Sequence, residues 1–337
     1  MNHPKLTVLM SVYNGEKHLK EAVESILNQT FTDFEFIIIN DACTDSSRHI
    51  ISGYKDSRIR LIDNTENLGL TKSLNKGIDL ARGKYIARMD CDDISLPERL
   101  AKQAVFMEAN PNIGVCGTFV KTTGEKPGII WKYPTDPEVI KCRLLFESGL
   151  AHPSVFMRRE FLQKFDLFYD PQFQRTQDFE LWTRCSEYFP MANLDEVLLL
   201  YRIHSEQVGT AHLDEQTRFA DIVRYRQVEK FGLVIEPQES DIHCKISTGR
   251  FEVNKEFVEK AEKWLIRLLK RNEKIHLYPE AEFSQVLGEM WFRVCNGARG
   301  LGLWVWEKYR DSFLSSFTGN DFVQQGKFFI NSLLRRT

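Results

Sequence analysis

The segment with the clearest chemical potential in this sequence is acidic. Arg88-Met89-Asp90-Cys91-Asp92-Asp93 places three carboxylates within four residues, directly after an apolar run. Carboxylates this close repel one another, so their clustering costs free energy unless a cation is present. Mg²⁺ and Mn²⁺ favour oxygen ligands and bridge one or two carboxylates to substrate phosphates. The alternative is an acidic loop that caps a helix beginning near Pro97. The position at the end of a predicted strand favours the metal site.

Two further polar segments follow apolar runs near the N-terminus. Asp41, in Asn40-Asp41, can accept hydrogen bonds from a base or a ribose, and a turn-forming role is an equal alternative. Tyr13, in Val12-Tyr13-Asn14-Gly15-Glu16, can stack on a nucleobase because an aromatic face suits any base.

Two candidates lie far downstream. Asp178, in Gln177-Asp178-Phe179-Glu180-Leu181-Trp182, lies at the start of a predicted helix, where an Asp is also favourable simply through the helix dipole. His204 ends Leu200-Tyr201-Arg202-Ile203-His204, and a lone histidine is seldom a ligand. The residues alone leave both roles open.

Hydrophobic periodicity indicates the elements that must position these side chains. The predicted strands are Leu6–Val12, Phe34–Asn40, Arg58–Ile62, Tyr85–Met89, Ile113–Val120, His152–Met157 and Val197–Tyr201. The predicted helices are Glu16–Asn28, Thr71–Ala81, Asp178–Tyr188 and two that begin near Ser46 and Pro97. This alternation predicts an α/β fold, a Rossmann-like and mainly parallel sheet with helices on both faces. Ligands bind such sheets beyond the carboxyl ends of the strands, where the polar segments lie.

The chain changes character along its length. After about residue 124 the alternation of strands and helices becomes less regular, and beyond about residue 212 the pattern is almost wholly helical, which predicts a helical C-terminal region over 213–337. The helical region contains one apolar stripe at helical spacing, formed by Phe257, Ala261, Trp264, Leu265 and Leu268.

Composition and missing motifs exclude several classes of function. The net charge of −2 gives no overall attraction to nucleic acid. The seven cysteines form no CxxC pair, which favours reduced thiols and neither a zinc site nor a disulfide framework. No GxxxxGK[ST] loop and no GxGxxG after the first strand are present, which argues against P-loop enzymes and dehydrogenases. Without a signal-type or membrane-spanning apolar segment, we expect a cytoplasmic protein.

Taken in order, the motifs resemble those of family-2 glycosyltransferases of GT-A fold, from about Lys5 to Gly209. They are Ser11-Val12-Tyr13-Asn14-Gly15-Glu16, Asn40-Asp41, Asn67-Leu68-Gly69-Leu70, Ala87-Arg88-Met89-Asp90-Cys91-Asp92-Asp93, Leu96-Pro97-Glu98-Arg99-Leu100, His152-Pro153-Ser154-Val155, Asp178-Phe179-Glu180-Leu181-Trp182 and Tyr201-Arg202-Ile203-His204. Each motif alone is weak, whereas their order and spacing together are specific.

The resemblance implies a role for each matching position. The nucleotide-sugar donor is bound by Ser11, Tyr13, Glu16, Asp41, Asn67, Arg88 and Asp90. A Mn²⁺ or Mg²⁺ ion is held by Asp92, Asp90 and His204, and Asp178 is the general base. Gln177 departs from the Glu-Asp pair frequent in the family, so the base lacks a neighbouring charge.

The implied function is inverting transfer of a sugar from a nucleotide diphosphate, commonly UDP, to an acceptor hydroxyl in bacterial surface polysaccharide synthesis. The acceptor is a saccharide or a lipid-linked saccharide. A nucleotidyltransferase-like protein and a non-catalytic sugar-binding relative are the alternatives. On this interpretation residues 1–212 form the GT-A domain, with a nucleotide-binding half over about 1–123 and an acceptor-binding half over about 124–212.

The C-terminal stretch 290–337 is rich in aromatic residues, and basic residues outnumber acidic ones there. A basic, aromatic amphipathic region can lie on an anionic membrane surface, here the inner face of the cell membrane. The alternative is that these side chains pack the helical region or a homodimer interface.

Overall fold

The computed structural model describes residues 4–204, 213–319 and 322–334. Its strands are β1 Leu6–Val12, β2 Phe34–Asn40, β3 Ile59–Asp63, β4 Tyr85–Met89, β5 Ile94–Ser95, β6 Val115–Gly124, β7 Ile130–Trp131, β8 Phe156–Arg158 and β9 Met191–Ile203. Its helices are α1 Glu16–Leu27, α2 Ser47–Gly53, α3 Leu70–Leu80, α4 Arg99–Ala109, α5 Pro137–Arg143, α6 Arg159–Lys164, α7 Gln177–Cys185, α8 Leu213–Glu229, α9 Pro237–Thr248, α10 Lys255–Ile275, α11 Glu280–Gly297, α12 Leu303–Asp311 and α13 Phe322–Leu333.

Within these described residues the strands join into one sheet, in the order β3-β2-β1-β4-β8-β6-β9-β5, with β7 paired to β6. The first four strands of that order are parallel, and β6 and β9 are parallel as well. The carboxyl ends of β1, β2 and β4 therefore lie at the same edge of the sheet. This confirms the predicted α/β class with a mainly parallel sheet.

Helices cover both faces of the sheet because alternate side chains of each strand point in opposite directions. On β1, Val8 and Met10 belong to the same buried core as Leu19 and Val23 of α1. Leu9 points to the other face, where it packs tightly against Gly77 of α3. The seven residues of β2 are all buried, which fits the continuous apolar run in its sequence.

The predicted strand His152–Met157 is wrong in its first half. Residues His152–Ser154 form a 3₁₀ turn, and only the short strand β8 follows. The physical reason is Pro153, which has no N–H for a sheet ladder and suits the first turn of a helix. The Ser154 N–H closes this turn on the carbonyl of Ala151 at 2.9 Å.

The chain divides into two compact units, residues 1–137 with 148–220, and residues 138–147 with 221–337. The sequence places a boundary at residue 212, whereas the division of the structure falls inside α8. In the second unit the predicted apolar stripe of α10 is confirmed, since Phe257, Ala261, Trp264, Leu265 and Leu268 are buried. No helix among the described residues is long and apolar enough to cross a membrane.

Most aromatic residues of the C-terminal stretch pack inside the second unit. Trp291, Tyr309 and Phe328 are buried in its core, and Trp304 and Trp306 pack against them. The structure thus favours internal packing for these side chains. Helix α13 still exposes the apolar residues Val323, Phe329, Ile330 and Leu333, and Leu334 directly after it is exposed as well. The basic Arg335 and Arg336 lie outside the described residues.

Candidate active site at the carboxyl edge of the sheet

The loops that follow β1 and β2 are held together by reciprocal hydrogen bonds. The Asn14 side chain accepts from the Thr44 N–H at 2.9 Å. The Glu16 N–H donates to Asp45 at 3.0 Å, and the Ser46 N–H donates to the Glu16 carboxylate at 2.8 Å. Burial opposes ionisation of Asp45, but the N–H donors around it outweigh this and lower its pKa. Glu16 therefore supports the loops by bonding to backbone.

Tyr13 lies on these joined loops and is 53% exposed, although it directly follows the buried residue Val12. The next residue, Asn14, has φ of 50°, a left-handed conformation that an Asn tolerates. A Cβ on Gly15 would meet the sulfur of Cys91 at 3.0 Å, so this loop runs close against the acidic loop after β4. The aromatic face is open for stacking beside the acidic loop.

Asp41 is buried and organises the loop that precedes α3. One carboxylate oxygen accepts from the Asn64 amide at 2.7 Å and the Leu68 N–H at 2.9 Å, and the other accepts from the Gly69 N–H at 3.0 Å. Gly69 has φ of 81°, which only glycine adopts readily. Asn67 is exposed and accepts from the same Gly69 N–H at 3.1 Å. This geometry gives Asp41 a positioning role, and its contact with a base stays a prediction.

An ion pair joins the buried Arg88 of β4 to the partly exposed Asp90 of the acidic loop. Arg88 is 2% exposed, and both of its terminal nitrogens donate to the Asp90 carboxylate, one at 2.5 Å to Oδ2. Burial raises the pKa of Asp90 to about 6, with the charge of Asp92 adding to the rise and that of Arg88 opposing it.

Asp93 is the most deeply buried acid of the loop. It accepts from the Arg202 N–H at 2.8 Å through one oxygen, while Oδ2 is buried without a partner among the described residues. Burial, followed by the charges of Asp90 and Asp92, raises the pKa of Asp93 well above its usual range.

Strand β9 contacts the acidic loop through Arg202, and His204 directly after the strand contacts it as well. Arg202 of β9 also donates through Nε to the carbonyl of Asp92 at 2.7 Å and pairs with Glu21 of α1. His204, directly after β9, approaches Asp92 with Nε2 at 2.9 Å from Oδ2. The His18 ring lies 5.5 Å from that of His204, between centroids.

Arg99 supports β4 from inside the protein. It is fully buried and donates to the carbonyl of Arg88 at 2.7 Å and to Gln103 at 3.1 Å. Burial, together with the neighbouring charge of Arg88, lowers the pKa of Arg99 to about 9, which still leaves it protonated at neutral pH. The Leu96-Pro97-Glu98-Arg99 segment thus fixes the strand end that carries the acids.

The residues present fit a divalent metal ion. Ligand atoms of Asp90, Asp92 and Asp93 all lie within 4.8 Å of one another. The buried Oδ2 of Asp93 has no described partner, and burial together with the charges of the neighbouring acids raises the pKa of Asp90 and of Asp93. A cation would relieve both costs.

Asp178 lies in the first turn of α7, close to the same charges. Burial raises its pKa, while the Phe179 N–H and then the charge of Arg88 oppose the rise. The charge of Asp178 in turn raises the pKa of Asp90. The buried His152, kept neutral because burial lowers its pKa, bonds Tyr169 at 2.8 Å near the Arg88 guanidinium. Asp178 and the acidic loop therefore act on one another electrostatically around Arg88.

Comparison with known proteins identifies the family of this chain. Residues 7–169 match the family Glycosyl transferase family 2. An uncharacterized glycosyltransferase of Haemophilus influenzae is 32% identical over 239 residues, which cover 67% of this chain and 74% of the relative. One of Methanocaldococcus jannaschii is 38% identical over 228 residues, 65% of this chain and 78% of the relative. The chain belongs to glycosyltransferase family 2.

Solved structures confirm the GT-A fold of this family-2 glycosyltransferase. S. aureus TarS 1–349 in complex with UDP-GlcNAc has a TM-score of 0.58 at 20% identity, over 91% of each chain. The mannosyltransferase PcManGT from Pyrobaculum calidifontis, in complex with GDP-Man and Mn²⁺, has a TM-score of 0.54 at 15% identity, over 90% of this chain and 88% of its own.

The glycosyltransferase brings the predicted residues to one edge of its first unit. Ser11 is partly buried near the end of β1, next to the Tyr13 loop. Asp93 belongs to the predicted acidic cluster but was given no individual role, and Arg202, which donates to it, was not predicted as a site residue. Both residues lie within matching motifs, but the contact between them joins distant parts of the chain and no local pattern encodes it.

Proposed function

We propose that this glycosyltransferase moves a sugar from a UDP-sugar to an acceptor hydroxyl with inversion, and that Asp178 is its general base. The observation that carries the proposal is the acidic loop after β4, where ligand atoms of Asp90, Asp92 and Asp93 lie within 4.8 Å of one another at the carboxyl edge of the parallel strands. Asp178 lies close enough for its charge to raise the pKa of Asp90. The base and the site for the diphosphate must lie close together, because in a single-step reaction the acceptor attacks the same sugar carbon from which the diphosphate departs.

The donor is proposed to lie over the loops after β1, β2 and β4. Tyr13 offers an exposed ring for the base, and Asp41 and Asn67 shape the loop beside it. Ser11, Arg88 and Asp90 complete the proposed donor contacts. UDP is preferred over GDP because TarS, the neighbour with the higher TM-score of the two described, was solved with UDP-GlcNAc.

The proposed metal ligands are Asp90, Asp92 and Asp93, with His204 at the rim through its contact with Asp92. The ion, Mn²⁺ or Mg²⁺, would stabilise negative charge on the departing diphosphate. PcManGT was solved with Mn²⁺.

The chain's own residues account for the rest of the reaction. The acceptor oxygen forms a bond to the anomeric carbon while the bond from that carbon to the diphosphate oxygen breaks on the opposite face. The Asp178 carboxylate accepts the proton of the acceptor hydroxyl, for which its raised pKa makes it a better base than an ordinary Asp. Arg88 holds Asp90 in place beside this reaction.

The acceptor is proposed to be a lipid-linked saccharide of a bacterial surface polysaccharide. One relative is named UDP-Glc:alpha-D-GlcNAc-diphosphoundecaprenol beta-1,3-glucosyltransferase WfaP, from Escherichia coli, and another is named O-antigen biosynthesis glycosyltransferase WbnJ. Such an acceptor requires a cytoplasmic enzyme that meets the inner face of the membrane.

The test is Asp178→Asn, assayed for sugar transfer from UDP-sugars with a panel of saccharide acceptors and Mn²⁺. We expect a loss in kcat of about 10²–10⁴, the usual contribution of a general base, with UDP binding retained. The matched control is Asp79→Asn, an exposed aspartate of α3. Wild-type turnover by the Asp178 variant would overturn the assignment.

A further inference from the structure

The second half of α10 has an unusual concentration of positive charge on one face. Five cations recur there at intervals of three and four residues, namely Lys263, Arg267, Lys270, Arg271 and Lys274. They line an open groove of about 390 Å³, which we call the basic groove. A groove is a concave surface, so several of these charges can approach one ligand together.

Three of the cations have no salt-bridge partner in the described part of the chain. Lys263, Lys270 and Lys274 are exposed, and none of them has an ion pair with a residue in the described ranges. Arg267 pairs with Glu239 and donates to the carbonyl of Val234 at 2.9 Å, and Arg271 donates to the carbonyl of Phe231 at 2.7 Å. The two arginines thus stabilise the loop before α9, while the three lysines remain available to bind an anionic ligand.

The groove also has an apolar component. Leu233 and Ile266 line it between the charges. Val234, whose carbonyl binds Arg267, is 87% exposed, the most exposed large apolar side chain among the described residues. A hydrophilic polyanion gains nothing from an exposed valine, whereas a membrane interface accepts both an apolar tip and a ring of lysines.

We propose that the basic groove docks this protein on a membrane surface by binding the phosphate headgroups of anionic lipids, with Val234 entering the interface. The inference deepens the proposed function, because a lipid-linked acceptor places the reaction at a membrane. It moves the predicted contact from the C-terminal aromatic stretch, which packs largely inside, to α10 and the loop before α9.

The test measures partition of the full chain onto vesicles of phosphatidylglycerol mixed with phosphatidylcholine, by co-sedimentation without donor or acceptor. The variant carries Lys263→Gln, Lys270→Gln and Lys274→Gln, which keep helix propensity. Each lysine near an anionic surface changes partition by about fivefold, so the triple variant should bind on the order of 100-fold more weakly. Val234→Ser should weaken binding further without changing its salt dependence.

The matched control replaces three exposed lysines elsewhere, Lys20, Lys55 and Lys164, by Gln. This control variant should retain binding to the anionic vesicles. On vesicles of pure phosphatidylcholine, neither the wild type nor any variant should bind. Equal binding by wild type and the groove variant overturns the proposal. The proposal is also overturned if binding is lost only when residues 322–337 are removed, because the contact would then belong to α13. Stronger binding to a nucleic acid than to the vesicles would overturn it as well. Sugar transfer to a soluble acceptor should persist in the groove variant, which separates this test from that of the glycosyltransferase activity.

Discussion

Nε2 of His204 lies 2.9 Å from Oδ2 of Asp92, which joins the residue after β9 to the acidic loop after β4. The contact orients a carboxylate of the proposed metal site from a different part of the sheet. Partners that orient a ligand in this way are worth about 10–100-fold in metal affinity.

His204→Ala should therefore weaken Mn²⁺ binding by about 10–100-fold, measured by calorimetric titration in the presence of UDP. The matched control is His49→Ala, which removes an exposed imidazole of α2. The circular dichroism spectrum should be unchanged in both variants. Equal Mn²⁺ affinity in the His204 variant and wild type would remove this residue from the site.

Gln177 stands directly before the proposed base and is buried, with its carbonyl oxygen unpartnered among the described residues. Gln177→Glu would place a second carboxylate beside Asp178, and like charges raise each other's pKa. Because a base works only when ionised, the acid limb of the kcat profile should move to higher pH, by about one unit. Gln177→Met, which adds no charge, should leave that limb in place. A limb that stays fixed in the Glu variant would show that another group sets it.

A variant of Asp41 can distinguish two roles for this residue, positioning of the loop before α3 and direct contact with the nucleobase. In Asp41→Asn an amide would face the N–H groups of Leu68 and Gly69, so we expect a loss of about 1–3 kcal/mol in stability. If the carboxylate acts through the loop, Kd for UDP and for GDP should rise by the same factor. A change in the ratio of the two Kd values, with unfolding unaltered, would instead mean that Asp41 touches the base. Asp33→Asn, at an exposed site before β2, is the control.

The parallel half of the sheet could be predicted because its signals are local. β1, β2 and β4 coincide with the predicted strands, since their apolar runs are continuous and are bounded by polar loops. The acidic loop could be placed at the correct edge for the same reason. Once strands are parallel, their carboxyl ends must meet.

The supports of the site could not be predicted because they depend on distant parts of the chain. Arg202 and Asp93 meet across 109 positions, and no local pattern encodes that pairing. Arg99 looks like a surface residue of a helix, yet it is fully buried beneath β4. Residues 138–147 join the second unit, although nothing in the sequence separates them from the first. In each case tertiary contacts override the local preference of the residue.

The buried carboxylate of Glu35, in β2, should make the stability of the first unit depend on pH. It is 4% exposed and accepts from Thr7 at 2.8 Å and from the Arg82 N–H at 2.7 Å, with Arg60 also paired to it. Burial opposes its ionisation, but the bonds from Arg82, Arg60 and Thr7 outweigh burial and lower the pKa of Glu35. A lowered pKa gives stability that is complete above the unfolded value of about 4.3 and is lost as pH falls through the folded value. Glu35→Gln should therefore lower Tm at pH 7, by an amount equivalent to about 1–3 kcal/mol, and the gap to wild type should close below pH 4. Glu24→Gln, on the exposed side of α1, should change Tm little at any pH. A gap that stays constant from pH 7 to pH 3 would show that packing of this side chain, and not its charge, stabilises the strand.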